Sequence, residues 1–162
     1  MSAGHWLERA SPDDAPALAA LEAECFSHPW SRAQFEEEVS YGPPGAVLLL
    51  RGAATGEDSG RGIRAYCVYR LAVPEMEILD VAVPPGWRRR RLAWWLVRFA
   101  LAKAARAGAR RAFLEVRQSN TAALALYDAL GFTRLSLRRG YYREPCEDAL
   151  VLGRDLLPPD EP

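Results

Sequence analysis

The chain has 162 residues, 49% hydrophobic, 10% aromatic and 26% charged, which predicts one ordinary globular domain and excludes a disordered chain. No run of eighteen apolar residues occurs, so no helix is expected to cross a membrane, and the opening MSAGHWLERASPDD has no apolar signal-peptide stretch. Twenty-one bases balance 21 acids, but the zero net charge hides a segregation: residues 81–114 carry nine bases and no acid, while residues 1–80 carry 13 acids against 6 bases.

In chain order, residues 6–10 predict a short strand, and Ser11-Pro12-Asp13-Asp14 caps a helix over 12–24 with Leu18 and Leu21 inward. Ser31 caps a second helix to about residue 40, which the GPPG at 42–45 breaks. Residues 46–51 and 63–71 read as strands joined by a flexible loop, and 75–83 is a further strand ended by Pro84-Pro85-Gly86. A long helix is predicted over 89–107, with Leu92, Trp95, Leu96 and Phe99 as its buried stripe and Gly108 as its stop. A strand at 111–117, a helix at 119–130 and strands at 132–138 and 148–154 complete the order β-α-α-β-β-β-α-β-α-β-β. Strand–helix–strand passages around the two later helices predict parallel pairing there, and the close-set earlier strands predict hairpins. The expected organisation is one domain over 1–156 and a disordered tail at 157–162.

Three separated cysteines, Cys25, Cys67 and Cys146, suit neither a disulfide framework nor a zinc site, so a reduced, cytoplasmic protein without a metal is expected. Arg88, Arg89, Arg90 and Arg91 set four cations at the positive end of the predicted long helix, a conflict that a bound anion would relieve. A solvated basic run is the plain alternative, and a nucleic-acid surface is a third, although no aromatic-basic interleaving supports it. Glu115 lies in a strand otherwise built of Phe113, Leu114 and Val116, an expensive place for a carboxylate if its face is buried. Asn120 and Tyr127, seven apart, fall within about 20° on one helix and roughly 10 Å along it, so one extended ligand could touch both. A cap for Asn120 and a core ring for Tyr127 are the simpler roles.

The segment VAVPPGWRRRRLAWWL resembles the acetyl-CoA motif of the GCN5-related N-acetyltransferases, whose pyrophosphate loop reads Q/R-x-x-G-x-G/A. LEVRQSNTAALALYDALGF, HPWSRAQF and RRGYYREPCEDALVL are similar to segments of the RimI-type ribosomal-protein-alanine N-acetyltransferases. The resemblance spans about residues 5–154. It implies a single-domain α/β fold, with a mixed, mostly antiparallel sheet, parallel pairing at the cofactor site and flanking helices. Acetyl-CoA would be the acetyl donor, with no metal, and the acceptor the N-terminal alanine of a basic small-subunit ribosomal protein. By this resemblance Glu115 is the general base and Tyr127 the general acid. Val81, Ala82 and Val83 hold the acetyl-pantetheine end. Arg88, Arg89, Arg90, Arg91, Leu92, Ala93 and Trp94 form the pyrophosphate loop and helix start, and Asn120 contacts the cofactor. Pro29 and Trp30, with Tyr141 and Tyr142, match two loops that enclose the acceptor peptide; membrane and direct nucleic-acid partners are not implied.

The chain departs from the family pattern at Arg91, where the first loop glycine is expected. Arginine keeping helical dihedrals would present the same N–H, but its Cβ would crowd the phosphate. Two further readings follow: a small-molecule amine as acceptor, and a catalytically weakened anion- or nucleic-acid-binding module. Glu36, Glu37 and Glu38, which follow the Pro29-Trp30 loop, predict either an acidic rim that steers basic acceptors or a helix that simply exposes its glutamates to water.

Overall fold

A computed structural model describes residues 4–42, 45–53 and 62–156. The predicted tail at 157–162, the core of the GPPG break and most of the 52–62 loop lie outside the described residues. The chain divides into two compact units, one from residues 1–70 and 80–100, the other from residues 71–79 and 101–162.

In the first unit, β1 (His5–Arg9), β2 (Ala46–Gly52) and β3 (Ile63–Ala72) run antiparallel in chain order, as the predicted hairpin requires. β2 is buried along its whole length and β3 nearly so, which fits their largely apolar sequence; Arg51 and Arg64 are buried with them. A single turn of 3-10 helix (Pro12–Asp14) leads into α1 (Ala15–Cys25), and α2 (Arg32–Ser40) follows. Leu18 and Leu21 of α1 are buried as predicted, but so is Glu22. Ser31 closes a capping box on α2: its hydroxyl accepts from the Gln34 N–H at 3.3 Å, and the Gln34 side chain returns to the Ser31 N–H at 2.8 Å.

In the second unit the strand order is β4 (Glu75–Ala82), β5 (Arg111–Arg117), β7 (Cys146–Asp155), β6 (Thr133–Arg143). β4 and β5 pair in parallel from Glu75–Arg111 to Ile78–Leu114, across the connection made by α3 (Leu92–Arg106), as expected. The second parallel pair is not formed. β5 and β6 flank α4 (Thr121–Ala129) in sequence, yet both pair antiparallel with β7. The short turn after Arg143 folds β7 straight back along β6, so the returning strand takes the place beside β5.

The long helix also differs from its prediction. Arg89 and Arg91 adopt left-handed backbone, with φ of 62° and 60°, which an α-helix does not admit, so the helix starts at Leu92 rather than residue 89. Its buried residues are Leu96, Val97, Ala100, Leu101 and Ala104, whereas Trp95 and Phe99 are 45% and 43% exposed. Leu96 is buried as expected, and Val97, Ala100, Leu101 and Ala104 complete the inward face; the expected stripe gave the aromatics too much weight.

Candidate active site

The arginine turn sits between β4 and α3. After Ala82 the chain passes through Pro84 and a 3-10 turn at Pro85–Trp87, and then reaches four exposed arginines. They are not equivalent. Arg88 donates its Nε–H to the Val83 carbonyl at 3.0 Å, the same oxygen that the Cys25 thiol approaches at 3.5 Å. Arg90 lies over the Trp87 ring at 4.6 Å, and the buried Arg64 covers that ring at 4.0 Å. Trp87 is thereby in contact with two guanidinium groups, an anchoring role that the sequence did not reveal.

Arg89 and Arg91 supply the unusual backbone. Left-handed residues turn consecutive N–H groups into a concavity suited to an anion, here directly before a fifteen-residue helix. The Trp95 N–H reaches the Arg91 carbonyl at 3.0 Å, which places Arg91 at the helix cap with no side-chain oxygen to serve the free donors. Arg91 does not keep the helical dihedrals expected of it; its φ of 60° is a conformation that glycine adopts more readily than arginine. Leu92, Ala93 and Trp94 are half-buried in the first turn of α3, with Trp94 edge-on to Trp95 and under Arg98 at 5.0 Å.

Ahead of this turn, β4 ends in Asp80, Val81 and Ala82; Ala82 is buried, and Val81 and Val83 are half-buried. Asp80 meets Glu22 of α1 through Tyr66 of β3, whose buried hydroxyl is 2.7 Å from Asp80 Oδ2 and hydrogen-bonded to Glu22 Oε2. Burial, with the charge of Asp80 second, pushes the Glu22 carboxyl up to about 8; burial raises Asp80 to about 7. No prediction named these three residues. The signal was available: Asp80 in EILDVAV is a carboxylate in an apolar strand, the argument already applied to Glu115.

Pro29, exposed, and Trp30, half-buried, occupy the loop between α1 and α2 as expected. The Trp30 N–H donates to Glu22 Oε1 at 3.2 Å, and its ring packs on Phe35 with 5.5 Å between centroids. The predicted acidic rim is largely neutralised. Glu38 is buried and hydrogen-bonded to Arg70, and Glu36 is paired with Arg32 at 2.6 Å.

In the second unit, Ala112, Leu114 and Val116 of β5 are buried, which turns Glu115 to the opposite, half-open face with its side chain 21% exposed. Its carboxylate pairs with Arg138 at 3.0 Å and accepts a hydrogen bond from Tyr141. That bond and partial burial raise the Tyr141 pKa above its ordinary value. Tyr141 and Tyr142 are edge-on at 5.1 Å, and Arg117 lies 3.9 Å over the Tyr142 ring. Both tyrosines belong to β6 rather than to a loop; the strand continues past an irregularity around Gly140, where φ is 58° and the N–H is held by Asp148 at 2.8 Å.

Asn120 caps α4, its side-chain oxygen accepting the Ala123 N–H at 3.1 Å. At the other end the helix closes with a Schellman motif: Phe132 N–H to Tyr127 carbonyl at 2.9 Å, and Gly131 N–H to Asp128 carbonyl at 2.9 Å. Gly131 carries the required positive φ of 76°. The accompanying apolar contact is Tyr127 against Phe132, with centroids 5.6 Å apart. The motif therefore fixes the buried Tyr127 ring at the last turn of the helix.

A model of the Acetyltransferase (GNAT) family matches residues 15–132. The chain is 37% identical over 148 residues to the N-alpha-acetyltransferase RimI of Mycobacterium tuberculosis, covering 88% of this chain and 87% of that protein. It is 31% identical over 144 residues to the [ribosomal protein bS18]-alanine N-acetyltransferase of Salmonella typhimurium, covering 88% and 91%. The crystal structure of the ribosomal-protein-S18-alanine N-acetyltransferase from Escherichia coli superimposes with a TM-score of 0.82 at 26% identity, covering 97% of each chain. With a family match across most of its length, and relatives above 30% identity over nearly the whole chain, this protein belongs to the GNAT acetyltransferase family.

Proposed function

We propose that residues 1–156 act as one N-acetyltransferase domain that transfers the acetyl group of acetyl-CoA to the α-amine of an alanine-initiated small-subunit ribosomal protein. The observation that carries this reading is the Glu115 carboxylate on the half-open face of β5, held by Arg138 and hydrogen-bonded by Tyr141. A base stands there beside an aromatic residue suited to the edge of a peptide site. The names of the relatives support the acceptor class.

Acetyl-CoA supplies a thioester whose carbonyl accepts an amine. The arginine turn suits its pyrophosphate: left-handed residues at 89 and 91 open onto the N-terminus of α3, and Arg89 and Arg91 are exposed. Val81, Ala82 and Val83, at the end of β4 and just after it, are the residues assigned to the pantetheine arm, and Asn120 is assigned by the same resemblance to the cofactor. Glu115 takes the proton of the incoming amine, directly or through one water. An α-amine has a pKa of about 7.7–8.0, so near neutral pH an ordinary carboxylate suffices as base. Backbone N–H groups stabilise the developing oxyanion, and Tyr127 returns a proton to the departing thiolate. By the family resemblance, Pro29 and Trp30 of the first unit and Tyr141 and Tyr142 of the second are each assigned to the acceptor.

The test is mass spectrometry of a peptide panel incubated with protein and acetyl-CoA. An alanine-initiated ribosomal-protein peptide is expected to gain one acetyl group on its α-amine. Acetylation of small amines alone, or no rise in melting temperature with acetyl-CoA, would overturn the reading.

A further inference from the structure

Tyr66 has one hydroxyl proton, yet its oxygen is in hydrogen-bonding contact with carboxylates on two different elements, Glu22 of α1 and Asp80 of β4. One proton cannot serve both contacts. If both carboxyls were ionised, two negative charges would face each other across a hydroxyl, with Glu22 2% exposed, Tyr66 fully enclosed and Asp80 half-buried. The arrangement closes only when the pair holds a proton of its own. The other titratable groups around it are Cys67 on β3, which feels the Asp80 charge, and Cys25 on α1, which feels the Glu22 charge and is hydrogen-bonded by the Arg88 guanidinium.

Two separate connections join this cluster to Trp30. The remaining oxygen of Glu22 holds the Trp30 N–H at 3.2 Å. The Trp30 ring packs on Phe35, which in turn stands edge-on to Tyr66 at 5.5 Å. On its other side the cluster touches the start of the cofactor strand, since Asp80 accepts the Val81 N–H.

We propose that Glu22, Tyr66 and Asp80 are positioning residues forming a proton-holding clamp, which fixes the Trp30 loop for the acceptor peptide and releases it when the shared proton is lost. This rests on the assignment of Trp30 to the acceptor site. Deprotonation leaves adjacent carboxylates that repel, and α1 carries the Trp30 anchor away from β4. The clamp therefore governs acceptor binding, not the acetyl-transfer step, and weakens as pH rises.

The experiment measures KM for an alanine-initiated peptide, KM for acetyl-CoA, and kcat between pH 6.5 and 9.5, in wild type, Glu22→Gln and Asp80→Asn. Comparing variants at each pH cancels the titration of the peptide amine, which is common to all. Relative to Glu22→Gln, wild-type peptide KM is expected to rise above about pH 8, approaching tenfold per pH unit as for loss of one proton, with kcat and acetyl-CoA KM moving together in both proteins. Glutamine keeps an acceptor for Trp30 and a neutral donor for Asp80, so its peptide KM stays level with the wild-type value at low pH. Asp80→Asn removes the repulsion from the other side and gives the same flat ratio if Glu22→Gln does not fold. A wild-type to Glu22→Gln ratio that is constant with pH overturns the clamp.

A second readout needs no turnover. Fluorescence of the free protein, as the difference between wild type and Trp30→Phe, is expected to change with a one-proton midpoint near pH 8 and to lose that transition in Glu22→Gln. A pH-independent difference spectrum overturns the clamp as well. Absence of peptide acetylation in all variants, with the fluorescence transition intact, would instead overturn the acetyltransferase reading, and with it the clamp's role toward an acceptor, leaving only the pH-dependent anchoring of Trp30.

Discussion

Replacing Arg91 by glycine should stabilise this protein, against the usual direction of a glycine substitution. Arg91 holds φ of 60°, and a residue with a Cβ carries about 1–2 kcal/mol of left-handed strain there. Glycine removes that strain but loses more backbone freedom on folding, about 0.5–1 kcal/mol. The balance favours glycine by roughly 0.5–1 kcal/mol. For a chain of this length, that corresponds to a rise in Tm of about 1–4 °C. Charge is separated from backbone by a second variant: Arg91→Ala loses the exposed guanidinium but keeps the strained Cβ. Thermal unfolding without ligand should order the three proteins with Arg91→Gly highest and with Arg91→Ala close to wild type. With acetyl-CoA, Arg91→Gly should show a larger Tm increment than Arg91→Ala, since both lack the charge and only the glycine frees space beside the N–H groups. If Arg91→Gly melts at or below Arg91→Ala, the strain argument and the anion-turn geometry built on it are wrong.

Tyr127→Phe keeps the ring that packs on Phe132 and removes the proton donor, so kcat should fall by about 10²–10⁴-fold while the acetyl-CoA Tm shift persists; an unchanged kcat would remove Tyr127 as the acid. Ser31→Ala deletes the capping box of α2 at a cost of about 1 kcal/mol, lowering Tm by about 2–4 °C, and should raise peptide KM because Trp30 precedes the cap, which peptide kinetics would check. Glu22 and Asp80 bind protons more tightly folded than unfolded, so stability is greatest below the ordinary carboxylate range and falls as pH rises toward about 8. Urea unfolding between pH 5 and 8 should show a loss of about 1.4 kcal/mol per pH unit for each extra proton the native state holds, and a shallower slope in Glu22→Gln; equal slopes would contradict the raised carboxyl.

Much of the fold was legible because the local signals agree. Ser31 with Gln34 marked the start of α2, Gly131 marked the end of α4, and the alternation in RAFLEVR turned Glu115 away from the buried Ala112, Leu114 and Val116. Proline and glycine placed most strand ends within a residue or two, but β6 continues through Gly140 to Arg143, five residues past its predicted end. The antiparallel place of β7 between β5 and β6 was not legible, because pairing depends on where a returning strand finds an open edge. The inward face of α3 was misread for a related reason: hydrophobicity ranks Trp95 and Phe99 first, whereas packing chose Ala100 and Ala104.

The sequence by itself determined the residue types and their order: a carboxylate in an apolar strand, a tyrosine one turn before a helix-ending glycine, and an arginine run between strand and helix. Only the tertiary structure decided what each one meets. Arg138 and Tyr141 reach Glu115 from more than twenty residues away, and Glu22, Tyr66 and Asp80 converge from three elements separated by up to 58 positions. Backbone conformation at Arg91 was equally invisible, since arginine ordinarily avoids the positive φ that it takes in the turn before α3. Local preference is written into neighbouring residues. The protonation state of a buried carboxyl depends on groups that the chain brings together only when it folds.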